Sequence, residues 1–213
     1  MKKIPMVGLV FLLINYANAQ SFKPALQNVN KWTLSGRTIE TINENGKDGI
    51  KFNEDNGPGL WLLKSYIFSE GTIEFDVKGR NVLQKSFVGL AFHVQNDSTY
   101  DVVYFRPFNF ANPDTARRVR AVQYMSLPNF RWSKLRAEHP QKYENKVDPV
   151  PDPDDWFHVK VTVKGKKVAV FVNNSPKSSL EAEKLTDTKS GQIGLWVDYG
   201  SDGSFADLTI TRQ

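Results

Sequence analysis

The sequence predicts an all-β protein, a two-sheet antiparallel jelly-roll sandwich with one long, partly helical loop at about 126–155. Three observations predict it. Short stretches of alternating side chains follow one another, separated by turn chemistry such as Asn45-Gly46, Asn56-Gly57-Pro58-Gly59, Lys164-Gly165-Lys166 and Asp202-Gly203. No sustained helical period interrupts them, which favours two stacked sheets over a helical or mixed architecture. The chain also contains no cysteine, so its stability must come from a large apolar core rather than from disulfides.

Strands are expected at 31–34, 37–42, 49–53, 60–64, 71–78, 87–94, 100–106, 118–125, 156–164, 167–172, 192–197 and 204–211. In 71–78, Ile73, Phe75 and Val77 point one way and Glu74, Asp76 and Lys78 the other. Paired-acid sugar hydrolysis needs a second carboxylate beside the first, and Lys78 and Gly79 stand at the candidate positions, so this trio reads as a solvated face. In 87–94, Val88, Leu90, Phe92 and Val94 form a core row, with Phe87, Gly89, Ala91 and His93 opposite. Glycine and alanine there leave room above the sheet, for a ligand or for a loop of the same chain. Strand 100–106 sets Val103 and Phe105 against Tyr100, Val102, Tyr104 and Arg106, and Pro107 ends it. Strand 118–125 has two readings, because Arg118, Arg120, Val122 and Tyr124 share one face while Gln123 takes the other. Within 126–155, residues Trp132 to Glu138 fit about two helical turns before His139-Pro140 stops them. The clearest hairpin is "HVKVTVKGKKVAVFVNN", where Val159, Val161 and Val163 alternate with His158, Lys160, Thr162 and Lys164.

The first nineteen residues have the parts of a secretory signal: Lys2 and Lys3, an apolar run, then Ala17-Asn18-Ala19. Residues 20–213 are then a single exported domain, free of the membrane after cleavage, in a bacterial periplasm or outside the cell. The formal charge of +5 includes Lys2 and Lys3, so the mature domain is only mildly basic and nucleic acid is not an expected partner. Without cysteine, thiol catalysis and Cys-ligated zinc are excluded. His93, His139 and His158 stand at no ligand spacing, and no metal site is expected on them. Calcium stays open through the oxygens of Asp198 and Asp202 or of 53–57. No other cofactor is expected, and no nucleophile motif or phosphate-cradling loop appears.

Aromatic and forked polar side chains concentrate in one half of the chain. His93, Tyr104, Arg106, Asn109, Arg118, Gln123, Tyr124 and Trp132 are the candidate ligand-binding residues. Sugars present flat C–H patches to aromatic rings and paired hydroxyls to planar donors such as Arg, Asn and Gln.

Two closing segments, "WFHVKVTVKGKKVAVFVNNSPKSSL" and "SGQIGLWVDYGSDGSFADLTI", resemble the last strands of laminin G-like, concanavalin A-like domains. Together with Gly89-Leu90-Ala91-Phe92-His93 and "YDVVYFRPFN", they make the chain similar to secreted bacterial domains of the 3-keto-disaccharide hydrolase type. The resemblance implies a curved jelly roll whose concave sheet carries His93, Tyr104, Arg106, Asn109, Gln123 and Tyr124. It implies no particular catalytic acid.

The function expected first is carbohydrate binding on the concave sheet by an exported monomer, with a glycan or small sugar as partner. In it Arg106 and Gln123 donate to hydroxyls, Tyr104, Tyr124 and Trp132 stack, and His93 lies at the groove floor. The alternative is a glycoside hydrolase acting on a 3-keto or related glycoside, which requires Glu74, Asp76, Asp101, Glu138 or His93 to reach the groove. A second alternative is a laminin G-like protein-interaction domain that uses its loops.

Overall fold

The computed structural model describes residues 20–212; the expected leader, residues 1–19, lies outside the described residues. In chain order the strands are β1 (Ser21–Phe22), β2 (Trp32–Ser35), β3 (Ile39–Glu44), β4 (Lys47–Asp55), β5 (Gly59–Leu63), β6 (Gly71–Lys78), β7 (Val88–Asn96) and β8 (Thr99–Phe105). Two short helices, α1 (Thr115–Arg118) and α2 (Trp132–Glu138), flank β9 (Val122–Leu127). The chain closes with β10 (Glu144–Asn145), β11 (Phe157–Lys164), β12 (Lys167–Val172), β13 (Leu180–Glu183), β14 (Gln192–Val197) and β15 (Ser201–Arg212).

These strands form the expected antiparallel jelly-roll sandwich. One sheet runs β13-β12-β11-β6-β15-β4-β3, with β1 added beside β15; the other runs β10-β9-β8-β7-β14-β5-β2. Between them lie the inward rows read from the alternation: Ile73, Phe75 and Val77, then Val159, Val161 and Val163, facing Val88, Leu90, Phe92, Val103 and Phe105, all at most 1% exposed. Phe105 meets Phe157 edge to face at 5.2 Å, and Phe110 meets Phe157 in the same way at 5.2 Å. That aromatic trio links the sheets beneath the end where β8 stops.

Three expectations are corrected. The segment 118–125 is not one strand. Asp114 caps α1, its carboxylate accepting from the Ala116 amide at 2.8 Å, and the basic run completes a helical turn before β9 begins at Val122. Gly89 does not clear space for a ligand. It pairs with Tyr104, and a Cβ there would come 2.6 Å from the Tyr104 Cα, so the neighbouring strand itself requires the glycine. The loop after β9 neither fills the outer face nor leaves it open: α2 docks on β9, with Leu135 buried, and forms one wall of the groove described next.

Candidate functional site: a basic aromatic groove

The seven-stranded sheet aligns one row of residues across its outer face. Leu60 pairs with Trp196, Trp196 with Gly89, Gly89 with Tyr104, Tyr104 with Gln123 and Gln123 with Glu144. Two residues further on, the same face carries Asp198, Phe87 and Arg106; Asp198 N donates to Phe87 O at 3.2 Å, and Arg106 N donates to Ala121 O on the other side at 2.7 Å. This second row lies where β7, β8 and β14 end, and a groove of about 490 Å³ opens over it.

The groove floor is rigid. Arg106 is buried, with its guanidinium carbon 4.7 Å from the Tyr104 ring centroid and 5.8 Å from that of Phe87. Its Nη1 donates to the Arg120 carbonyl at 2.8 Å, and its Nη2 donates to the Tyr104 hydroxyl and, at 2.5 Å, to Gln123 Oε1. The Tyr104 hydroxyl donates to the same Gln123 oxygen at 2.8 Å. Burial pushes the Tyr104 phenol up to about 12 and lowers the Arg106 pKa. Asn109 donates to the Arg120 carbonyl at 3.2 Å, while its Oδ1 is buried without a partner.

The walls come from loops. On one side α2 presents Trp132, 46% exposed, and Arg136, whose guanidinium stacks on the Trp132 ring at 5.0 Å. Arg136 also makes a two-pronged pair with buried Glu144, at 2.8 and 2.6 Å, which raises its pKa. Arg117 and Arg120 line a second side, and Asp198 and Tyr199, the latter 62% exposed, line the third. Burial raises the pKa of the Asp198 carboxyl.

Of the residues expected here, the structure brings Tyr104, Arg106, Asn109 and Trp132 together. Gln123 lies behind them, 1% exposed, where its oxygen accepts from Tyr104 and Arg106; it positions the floor rather than facing the groove. Arg118 points away and donates to the Asn112 carbonyl at 2.7 Å, because α1 turns it off the sheet. His93 and Tyr124 belong to the interior. A bulge after Phe92, with His93 at φ 50°, turns that ring against Phe68 and Phe92, and its Nε2 meets the Ser69 carbonyl at 2.8 Å. Tyr124 pairs with core-facing Val103 and donates to Asp101 at 2.8 Å.

The four carboxylates offered for hydrolysis stay away from the groove. Glu74 and Asp76 lie on the outer face of the other sheet, where Asp76 meets His158 Nδ1 at 2.7 Å and Lys47 at 2.5 Å. Asp101 is buried beside His93 and Lys184, and Glu138 ends α2 in solvent. Of the acids weighed for calcium, Asp202 meets Arg80 at 2.6 Å, Glu54 meets Arg80 at 2.8 Å, Asp55 accepts from the Asn56 amide at 2.7 Å and Asp198 faces the groove. Sequence reasoning missed Gln84, Phe87, Phe108, Arg117, Arg120, Arg136 and Tyr199 as lining residues, and weighed Asp198 only for calcium. The Arg117–Arg120 run was the one local concentration of charge that could have signalled them.

Solved structures share this architecture. The carbohydrate binding module CBM66 from Bacillus subtilis superposes with a TM-score of 0.63 at 17% identity, covering 88% of this chain and 99% of that one. A Bacillus subtilis protein of unknown function with a galectin-like fold gives 0.60 at 13% identity, covering 90% and 94%. The Ca2+-bound exoplasmic/lumenal domain of VIP36 gives 0.61 at 11% identity, covering 93% of each chain. At these identities the likeness establishes the fold alone. No curated protein matches the sequence. Residues 25–211, nearly the whole described domain, match the 3-keto-alpha-glucoside-1,2-lyase-like domain, and the chain belongs to that family.

Proposed function

We propose that this is an exported carbohydrate-binding protein that holds its sugar in the groove over Phe87, Tyr104 and Arg106. The observation that carries this is the lining itself. Exposed Trp132 and Tyr199 supply stacking faces at the rim, and the Arg106 guanidinium and Asn109 carboxamide at the floor are both anchored on the Arg120 carbonyl. Preorganised side chains lose little entropy when a ligand arrives. The family match and the sugar-binding module among its structural relatives support the same reading. Export rests on the sequence of residues 1–19.

Hydrolysis by a carboxylate pair is disfavoured. Among the described residues, Asp198 is the carboxyl lining the groove. Hydrolysis of that kind needs a second carboxyl free to act across the scissile bond, and Glu144, on β10 at the far edge of the sheet, is buried and locked to Arg136 by two hydrogen bonds.

A second reading is favoured by Asp198 alone. Elimination from a 3-keto glycoside needs one base. That base takes the proton from C2, the C1–O bond breaks, a C1=C2 bond forms and the aglycone leaves as an alcohol after taking up a proton. A carboxyl with a raised pKa is a stronger base than an ordinary one.

A glycan array, followed by calorimetry and product analysis on the hits, tests both readings. Binding without turnover supports the first. Turnover of a 3-keto glycoside supports the second, and a protein that neither binds nor converts any glycan overturns both.

A further inference from the structure

Resting on that sugar-binding reading, we infer that the groove selects a sugar bearing an anionic group, a uronate carboxylate or a sulfate ester. Four arginines, Arg106, Arg117, Arg120 and Arg136, line it against the single carboxyl of Asp198. Their charges are unequally cancelled. Arg136 is neutralised by its two-pronged pair with Glu144. Arg106 spends its donors on neutral oxygens, and Glu144 comes no closer to it than 4.0 Å. Arg117 faces only Asp114, at 3.8 Å with both side chains open to water, a contact worth little. Arg120 has no carboxylate within 4 Å among the described residues, and its own carbonyl is taken by Arg106 and Asn109, which fixes its backbone.

Arg117 and Arg120 therefore stand three residues apart on one turn, joined by the Arg120 N to Arg117 O bond at 2.9 Å, as adjacent forks without a strong partner. Planar forks of this kind match the paired oxygens of a carboxylate or sulfate. Apolar Phe87, under Arg106 at 5.8 Å, and Phe108, edge-on to it at 5.5 Å, line the same groove and keep its local dielectric low. A neutral sugar takes only hydrogen bonds from these forks and leaves the net positive charge uncompensated.

The test is calorimetry on the purified protein with length-matched oligosaccharides: one neutral, one of galacturonate and one sulfated, each at low and at physiological salt. At least one anionic ligand should bind about tenfold or more tightly than the neutral one, and salt should weaken it while leaving the neutral ligand unchanged. The two anionic arms separate carboxylate from sulfate. The double variant Arg117→Ala/Arg120→Ala should lose the preference. Arg120→Lys, which disturbs the turn least, should keep the salt dependence while losing affinity, because it keeps the charge without the fork. Equal or tighter binding of the neutral ligand overturns the inference while leaving the sugar reading intact. Failure of both anionic ligands in a protein that binds another glycan on the array overturns the inference alone, and failure across the whole array overturns the sugar reading with it.

Discussion

Arg106 turns back over Tyr104, two residues earlier on the same face of the chain, placing its guanidinium carbon 4.7 Å above that ring and an Nη2 donor on that hydroxyl. The polar residue just past the end of β8 is thus tied to its aromatic neighbour, and Gln123 on the adjacent strand accepts from both. The groove floor is built before any ligand arrives.

Arg106→Ala should therefore damage the fold as well as binding. It removes charge-assisted bonds to Gln123 and Arg120 and empties a slot between two rings, a loss of about 2–4 kcal/mol. In a domain of this size that corresponds to a Tm fall of roughly 5–15 °C. Arg106→Lys should recover only part of it, because an ammonium cannot span the Arg120 carbonyl and Gln123 together. An unchanged Tm for Arg106→Ala would contradict the tied floor.

Trp132→Ala and Tyr199→Ala should behave in the opposite way. Both rings stand at the rim, 46% and 62% exposed, so stability should stay within about 0.5 kcal/mol. Sugar affinity should fall about tenfold for each, the worth of one lost stacking face. Titration of the same glycan with both variants checks this, and undiminished affinity would move the ligand away from this rim.

Gly89→Ala tests the close approach of β7 to β8. A methyl group there would press on the Tyr104 Cα at 2.6 Å and Cβ at 2.8 Å, and backbone cannot step aside as a side-chain tip can. The expected cost is at least about 3 kcal/mol, with loss of sugar binding as Tyr104 and Arg106 shift. Denaturant unfolding measures it.

What the sequence made legible follows from which patterns are local. The rows of β6, β12 and β14, and helix α2 with its stop at His139-Pro140, depend on alternation, period and proline, and they stand where expected. Tyr104 and Arg106 were legible for the same reason. His93 was not, because a bulge at positive φ reverses its side and nothing in "AFHVQND" announces one. Tyr124 followed from placing a strand over Arg118–Arg120, where an Asp114 cap makes a helical turn and shifts the start of the strand. Arg136 and Tyr199 reach the groove from a helix and a turn distant in sequence, and only tertiary packing brings them there.

On the far face of the sandwich, His158 and Asp76 give stability a pH dependence. The hydrogen bond to Asp76 raises the His158 pKa above its usual 6.5. Burial alone would raise the Asp76 pKa, but hydrogen bonds from His158 and Lys47 more than reverse that and hold it below 3.8. The His158 contribution is complete below pH 6.5 and lost as pH rises through its folded value. The Asp76 contribution is present above pH 3.8 and lost as pH falls through its folded value. The pair therefore stabilises most between about pH 4 and 6.5. Urea midpoints across pH 3–9 should fall on both sides for the native chain, and Asp76→Asn should flatten its alkaline limb. A limb unchanged in that variant would exclude His158 as its source.

Asp198→Asn separates the functional readings in a single protein. Burial raises the Asp198 pKa, so the folded state binds that proton more tightly than the unfolded chain, and native stability declines as pH rises through the folded value. The asparagine variant lacks this decline and should be the more stable of the two at neutral pH. If the groove serves to bind an anionic sugar, removing one like charge should strengthen that ligand by about fivefold, the worth of ~1 kcal/mol. If Asp198 is instead the base of an elimination, the variant should still bind a 3-keto glycoside but release no aglycone, with kcat lost and KM little changed. Binding that collapses together with any turnover would fit neither outcome, and would place Asp198 among the groups that hold the sugar itself.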